Sequence, residues 1–177
     1  AAINVAHPHF VEDPEEVAYY AAHEFHHVGF MDHRPFPSLK GIQDARVLSK
    51  LLDYFTQLEG MAVHAAYPLR ARGKALGKDG DYEVYLRPEK AREVMKRYGE
   101  LRRRVESLAK KGGQLSRRQL AEVLTEMSSG SRLWYRAGAL TAWRLERREG
   151  RDALVKSVKR PEDFANALRA EVGRLGS

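Results

Sequence analysis

The strongest constraint on this chain is a carboxylate set in an apolar stripe. A long helix is predicted from Ser38, as its N-cap, to about Ala66. Along it Leu48, Leu51, Leu52, Phe55, Leu58, Ala62, Val63 and Ala66 follow i, i+3, i+4 spacing. Glu59 falls near the centre of that stripe. Burying an unpaired carboxylate costs on the order of several kcal/mol, so a fold that buries this face must bring Glu59 a cation, either an Arg from another helix or a metal ion. Gly60 follows it. Glycine inside a helix is about 1 kcal/mol worse than alanine, and its use here predicts that another segment approaches closely at that point.

A second constraint lies upstream, in "AAHEFHHVGF" at 21–30. "DPEEVAYYAAHEFHHVG" is predicted to be a helix from about 14 to 28, with Asp13 as N-cap, Pro14 at the first helical position, Glu16 completing a capping box and Gly29 at its stop. At about 100° per residue, His23 and His27 lie about 40° apart on the helix surface. Glu24 stands beside His27, at the border of an apolar stripe of Val17, Tyr20, Ala21 and Val28. H-E-x-x-H on a helix can place two imidazoles on one metal and a carboxylate beside its water. In a chain with seven His, the pattern arises by chance on the order of a few per cent of the time. Its weight therefore comes from Glu59. Two His and a Glu complete the three protein ligands of a catalytic zinc site and leave a fourth position for water. His26 points away from the stripe and reads as a solvated histidine, as do His7 and His9 near the start.

The remaining segments are mostly helical. "LRARGKALGKDGDYEVYLR" reads as loop, with "YEVYL" as a short strand candidate and "INVA" near the start as the other. Further helices are predicted from Pro88 to Lys111, over "LSRRQLAEVLTEM" with a Ser116/Gln119 capping box, and over "SRLWYRAGALTAWRLERREG" capped by Ser131 and stopped at Gly150. Two short ones follow, at about 151–158 and 162–172. The expected fold is mainly α, with at most a small β element, in a single domain over 1–177. The opening "AAINVAHPHF", without Met, suggests a processed form or an excised part of a longer chain.

"HEFHH" on one helix and "LLDYFTQLEGMAVHAA" on the next resemble the gluzincins, zinc metallopeptidases with H-E-x-x-H and a downstream Glu ligand. More narrowly, the pair is similar to a group of little-characterised bacterial proteins assigned as zinc-dependent peptidases, which combine "HE-x-H-H" with an "EG-x-A" helix. The resemblance implies His23, His27 and Glu59 as zinc ligands and Glu24 as general base in peptide hydrolysis. Gluzincins usually carry a β-sheet ahead of the motif helix, and here only "INVAHPHF" stands in that place. Tyr135, on the fifth helix, is the candidate donor to a developing oxyanion, and His64 is either a second donor or a flanking residue. Trp134 and Trp143 read as core. His33 leaves a metzincin-like alternative open, since His23, His27 and His33 have the H-x-x-x-H-x-x-x-x-x-H spacing. That pattern wants Gly at residue 30, where this chain has Phe30 and places Gly29 one residue early.

Composition narrows the rivals. Cysteine is absent, so any metal rests on His, Asp or Glu. A formal charge of +7 allows a basic helical nucleic-acid module built on "KRYGELRRRVESLAKK" and "RRQL". Those charges are interleaved with Glu93, Glu100 and Glu106 and lack an aromatic stacking series, so no specific nucleic-acid partner is expected. A non-catalytic metal-binding module is the other rival. The expected partner is a peptide or protein substrate. No apolar run approaches the roughly 18 residues of a membrane span, so the chain reads as soluble, with the cytoplasm the favoured compartment and a secreted or processed form left open.

Overall fold

The computed structural model describes residues 8–176, apart from the side chain of His9. The protein is mainly α-helical, as its periodicities require, and among the described residues only an isolated Asp44–Gln114 bridge has β character. The helices are α1 (Pro8–Glu12), α2 (Glu15–His33), α3 (Ala45–Arg72), α4 (Glu83–Leu86), α5 (Pro88–Lys110), α6 (Arg117–Ser128), α7 (Leu133–Glu149), α8 (Arg151–Lys156) and α9 (Pro161–Leu175). None of them is long and apolar enough to cross a membrane.

α3 is the central element and packs on α2, α5 and α7. One side of it enters a core with Leu48 and Leu52 against Met95, Tyr98 and Leu140, while Tyr54, Leu58 and Met61 join Phe30, Leu145 and Phe164 in another. Two polar side chains on its buried surface are satisfied across helices: Thr56 hydrogen-bonds Tyr98 at 3.2 Å, and the Gln57 amide donates to the Ser157 carbonyl at 2.9 Å. The close approach expected at Gly60 is made by α7. A Cβ on Gly60 would overlap the Gly138 backbone, and a Cβ on Gly138 would overlap the Thr56 carbonyl. The α3–α7 interface, the largest between helices among the described residues, thus brings backbone against backbone.

Several boundaries differ from expectation for identifiable reasons. α2 runs through Gly29 to His33, because a helical glycine costs only about 1 kcal/mol. The residue before Pro35 is the real stop, since proline disfavours α geometry at Arg34. Pro14, not Asp13, is the N-cap, and Glu16 joins Arg70 of α3 through two hydrogen bonds of 2.8 and 2.7 Å. α3 starts after Asp44, whose carboxylate accepts from the Arg46 N–H at 2.7 Å, while Ser38 caps a turn before it. At the other end α3 continues past Ala66 and through Pro68 to Arg72. "YEVYL" contains the short helix α4, preceded by 3₁₀ turns at Leu76–Lys78 and Gly80–Tyr82. The Ser116/Gln119 capping box is present. Ser131 instead donates to Glu126 at 2.6 Å, and Arg132, in the left-handed region at φ 52°, leads into α7. "INVA", at 3–6, lies outside the described residues, and Pro8 to Phe10 of "INVAHPHF" are in α1.

The glycine contact yields a paired prediction. Gly138→Ala should lower stability by about 3 kcal/mol, the upper range for overpacking, because backbone rather than a flexible side chain must move. Gly29→Ala meets no atom within 4 Å and should raise stability by about 0.5–1 kcal/mol. Urea unfolding midpoints at unchanged m-value measure both.

Candidate metal centre

α2 crosses α3 antiparallel, as three sets of contacts along the pair record: Glu16 with Arg70, His23 and His27 with Glu59, and Arg34 with Gln57. The face that α2 turns inward is not the apolar stripe read from its sequence. Tyr20 is 43% and Val28 50% exposed, whereas Glu16, Tyr19 and Phe30 are buried. The inward positions 16, 19, 23, 27 and 30 follow helical spacing, and three of these five are polar. The three polar ones are met by Arg70 and Glu59 on α3, while Phe30 packs in the apolar core. Arg70 lies over the Tyr19 ring at 4.6 Å while it binds Glu16.

His23, His27 and Glu59 meet in the middle of this crossing. The two Nε2 atoms are 3.0 Å apart, and Glu59 Oε2 lies 3.4 Å from His23 Nε2 and 3.3 Å from His27 Nε2. Their side chains retain 20%, 14% and 16% exposure, which leaves one side open to a fourth ligand. A tetrahedral ion with bonds of about 2.0–2.1 Å sets its ligands about 3.3–3.4 Å from one another, so the triangle has nearly the dimensions of a zinc site. The donor set fits as well, since two imidazole lone pairs and a carboxylate that face one another need a proton or a cation among them. Burial alone would push the Glu59 carboxyl up, but hydrogen bonds from His23 and His27 outweigh it and hold the group down at about 2. Among the described residues these three are the one group with metal-ligand geometry.

Glu24 projects to the neighbouring side and lines a cleft of about 280 Å³ with His23, Tyr20, Tyr82, Arg132 and Tyr135. The Gly60–Gly138 contact puts α7 there, because Tyr135 precedes Gly138 by about one turn while Glu59 is the residue next to Gly60. The Tyr135 ring lies parallel to that of His23, with centroids 6.5 Å apart. The Arg132 guanidinium sits 3.9 Å from the Tyr135 ring centroid, anchored by Asp81 through hydrogen bonds of 2.8 and 2.6 Å. Burial, reinforced by the Glu59 carboxylate, pushes the Tyr135 phenol up and keeps it a proton donor.

The other histidines have different roles. His33 is exposed on the last turn of α2, with its Nδ1 3.9 Å from Asp32, and is not one of the three facing side chains. His64 is buried on α3 and hydrogen-bonds Glu146, so it serves a helix–helix pair and not the cleft. His26, expected to be solvated, is half-buried against Phe30, and burial takes it down to about 3. His7 lies outside the described residues, as does the His9 side chain. Trp134 and Trp143 are half-buried against the core. Asp81 and Arg132 were not singled out in the sequence, where nothing in their spacing connects residues 51 positions apart. No family model, curated protein or solved structure matches the chain.

Metal titration tests the triangle. The expected result is about one zinc per chain, lost in His23→Ala, His27→Ala and Glu59→Ala and retained in His33→Ala, as measured by elemental analysis after dialysis. Free zinc at 100 times its Kd should raise the unfolding free energy by about 2.7 kcal/mol. Full zinc content in Glu59→Ala together with its loss in His33→Ala would move the third ligand to His33.

Proposed function

We propose that the protein is a zinc-dependent peptidase, with His23, His27 and Glu59 as metal ligands and Glu24 as general base. The single observation that carries this reading is the triangle of 3.0–3.4 Å among the three donor atoms, combined with a Glu directly after the first His in a cleft open to solvent. Zinc held there supplies Lewis acidity and makes water acidic enough to ionise near neutral pH. Glu24 takes the proton of the attacking water and passes it to the leaving amine. Tyr135, kept protonated, donates to the carbonyl oxygen as negative charge develops on it.

The nucleic-acid reading of the α5 face has less support. Arg97 pairs with Glu126, Arg102 with Asp53 and Glu106, and Arg104 with Glu122, so much of that basic run is committed to neighbouring helices.

Glu24→Gln separates an enzyme from a metal-binding scaffold. It preserves size and removes the base, so hydrolysis of an unfolded protein substrate should fall by about 10² to 10⁴, while zinc content and unfolding midpoint stay at wild-type values. A chelator should abolish the same activity and zinc restore it. Glu24→Gln that cleaves at the wild-type rate would overturn the hydrolytic role of this site even with metal bound.

A further inference from the structure

Arg97, Arg102, Arg104 and Arg118 on α5 and α6 have carboxylate partners, while Arg103 and Arg117 on the same helices make no ion pair among the described residues. The C-terminal half of α7 gathers two further unpaired arginines at one place. Arg144 and Arg147 make no ion pair among the described residues, and both guanidiniums sit on the Trp143 indole, 5.0 and 4.9 Å from its ring centroid. The indole is backed by Tyr85, with centroids 5.9 Å apart. The two cations are thus held together by an aromatic platform rather than by an anion. Arg148 and Arg174 complete the rim of the same cleft, about 470 Å³ in volume, where Glu171 is the one carboxylate and is already bound to Arg174 at 2.6 Å.

Arg148 pairs with Glu149 at 2.8 Å and Arg174 with Glu171 at 2.6 Å, which leaves the charges of Arg144 and Arg147 unanswered beside them, an arrangement that an added anion relieves. Part of it has a structural explanation, since Arg147, Arg148 and Arg174 occupy the last turns of their helices, where cations complement the helix dipole. Arg144 is not in such a turn. Its Nε is buried without a hydrogen-bond acceptor, an unsatisfied charged donor that destabilises the fold as it stands.

The geometry points to a polyphosphate-binding site in the Trp143–Arg144–Arg147–Arg148–Arg174 cleft. Guanidinium forks match phosphate oxygens in bidentate fashion, and several forks around one opening suit adjacent phosphates better than an isolated monoanion. Linked phosphates occur both in a free polyphosphate chain and in a nucleic-acid backbone. The site is independent of the metal centre: Trp143 lies eight residues beyond Tyr135 on α7, a rise of about 12 Å.

Calorimetric titration with sodium tripolyphosphate tests the assignment. Arg144→Gln/Arg147→Gln should weaken binding about tenfold or more, the loss expected for charge-assisted hydrogen bonds. Lys110→Gln/Arg117→Gln, which removes the same charge from exposed positions elsewhere, should change it less than about twofold. His27→Ala should leave this binding intact, which separates it from any chelation at the metal centre. The exposed single variant Arg147→Gln, with its fold checked by circular dichroism, gives a second reading should the double variant misfold. A single-stranded oligonucleotide that binds more tightly per phosphate than tripolyphosphate, and loses affinity in the same double variant, assigns the phosphates to nucleic acid. Absence of binding, equal loss in the two double variants, or oligoglutamate bound as tightly as tripolyphosphate would each overturn the proposal.

Discussion

The structure depends on the contact of two backbones at Gly60 and Gly138. Where α3 and α7 cross there is no space for even a methyl group on either glycine. This closeness sets everything within a turn of it. Glu59 is next to Gly60 and Tyr135 lies about one turn before Gly138, so the carboxylate on α3 comes near enough to act on the phenol of α7. Thr56 and Thr141 lie under the contact fully buried, each with its hydroxyl hydrogen-bonded. A larger residue at either glycine would separate the helices and move Tyr135 away from His23.

The second organising interaction is polar. α2 is an outer helix whose main neighbour is α3, and its inward surface carries Glu16, His23 and His27. A helix that buries such groups is stable only if each of them is answered. Arg70 answers Glu16 at one end of the crossing, and Glu59 meets both imidazoles at its centre. The apolar residues Phe25, Val28 and Met31 are turned outward as a result. Stability and chemistry share these side chains: the carboxylate that the core could not accept alone is the one that completes the three-donor triangle.

The cleft beside that triangle is shaped from further away. Asp81, in the middle of the Gly80–Tyr82 3₁₀ turn, holds Arg132 and Arg136, and Arg132 covers one face of Tyr135. Arg132 adopts a left-handed conformation that a non-glycine residue enters at a cost, and the doubly hydrogen-bonded Asp81 contact compensates for it. The phenol is thereby held against a guanidinium, with the His23 ring 6.5 Å away.

Much of this was legible in the residues alone. The spacing of Leu48 to Ala66 defined α3, Ser116 and Gln119 defined the start of α6, and the unfavourable position of Glu59 announced a partner before any partner was visible. H-E-x-x-H and Glu59 together named the three donors, because a buried charge and a misplaced glycine are local violations that only a tertiary contact can repair. The inward face of α2 was not legible. Periodicity reports where apolar residues cluster, and on α2 that cluster faces outward, since polar contacts to Arg70 and Glu59 took the inward side in place of Tyr20 and Val28. Nor could the chain order reveal that Arg132 is held by Asp81, or that Arg144 and Arg147 share one indole. Sequence thus determined the helices and the chemistry available to them. Tertiary structure decided which side chains face one another, because electrostatic pairing acts between residues that only folding brings within a few ångströms.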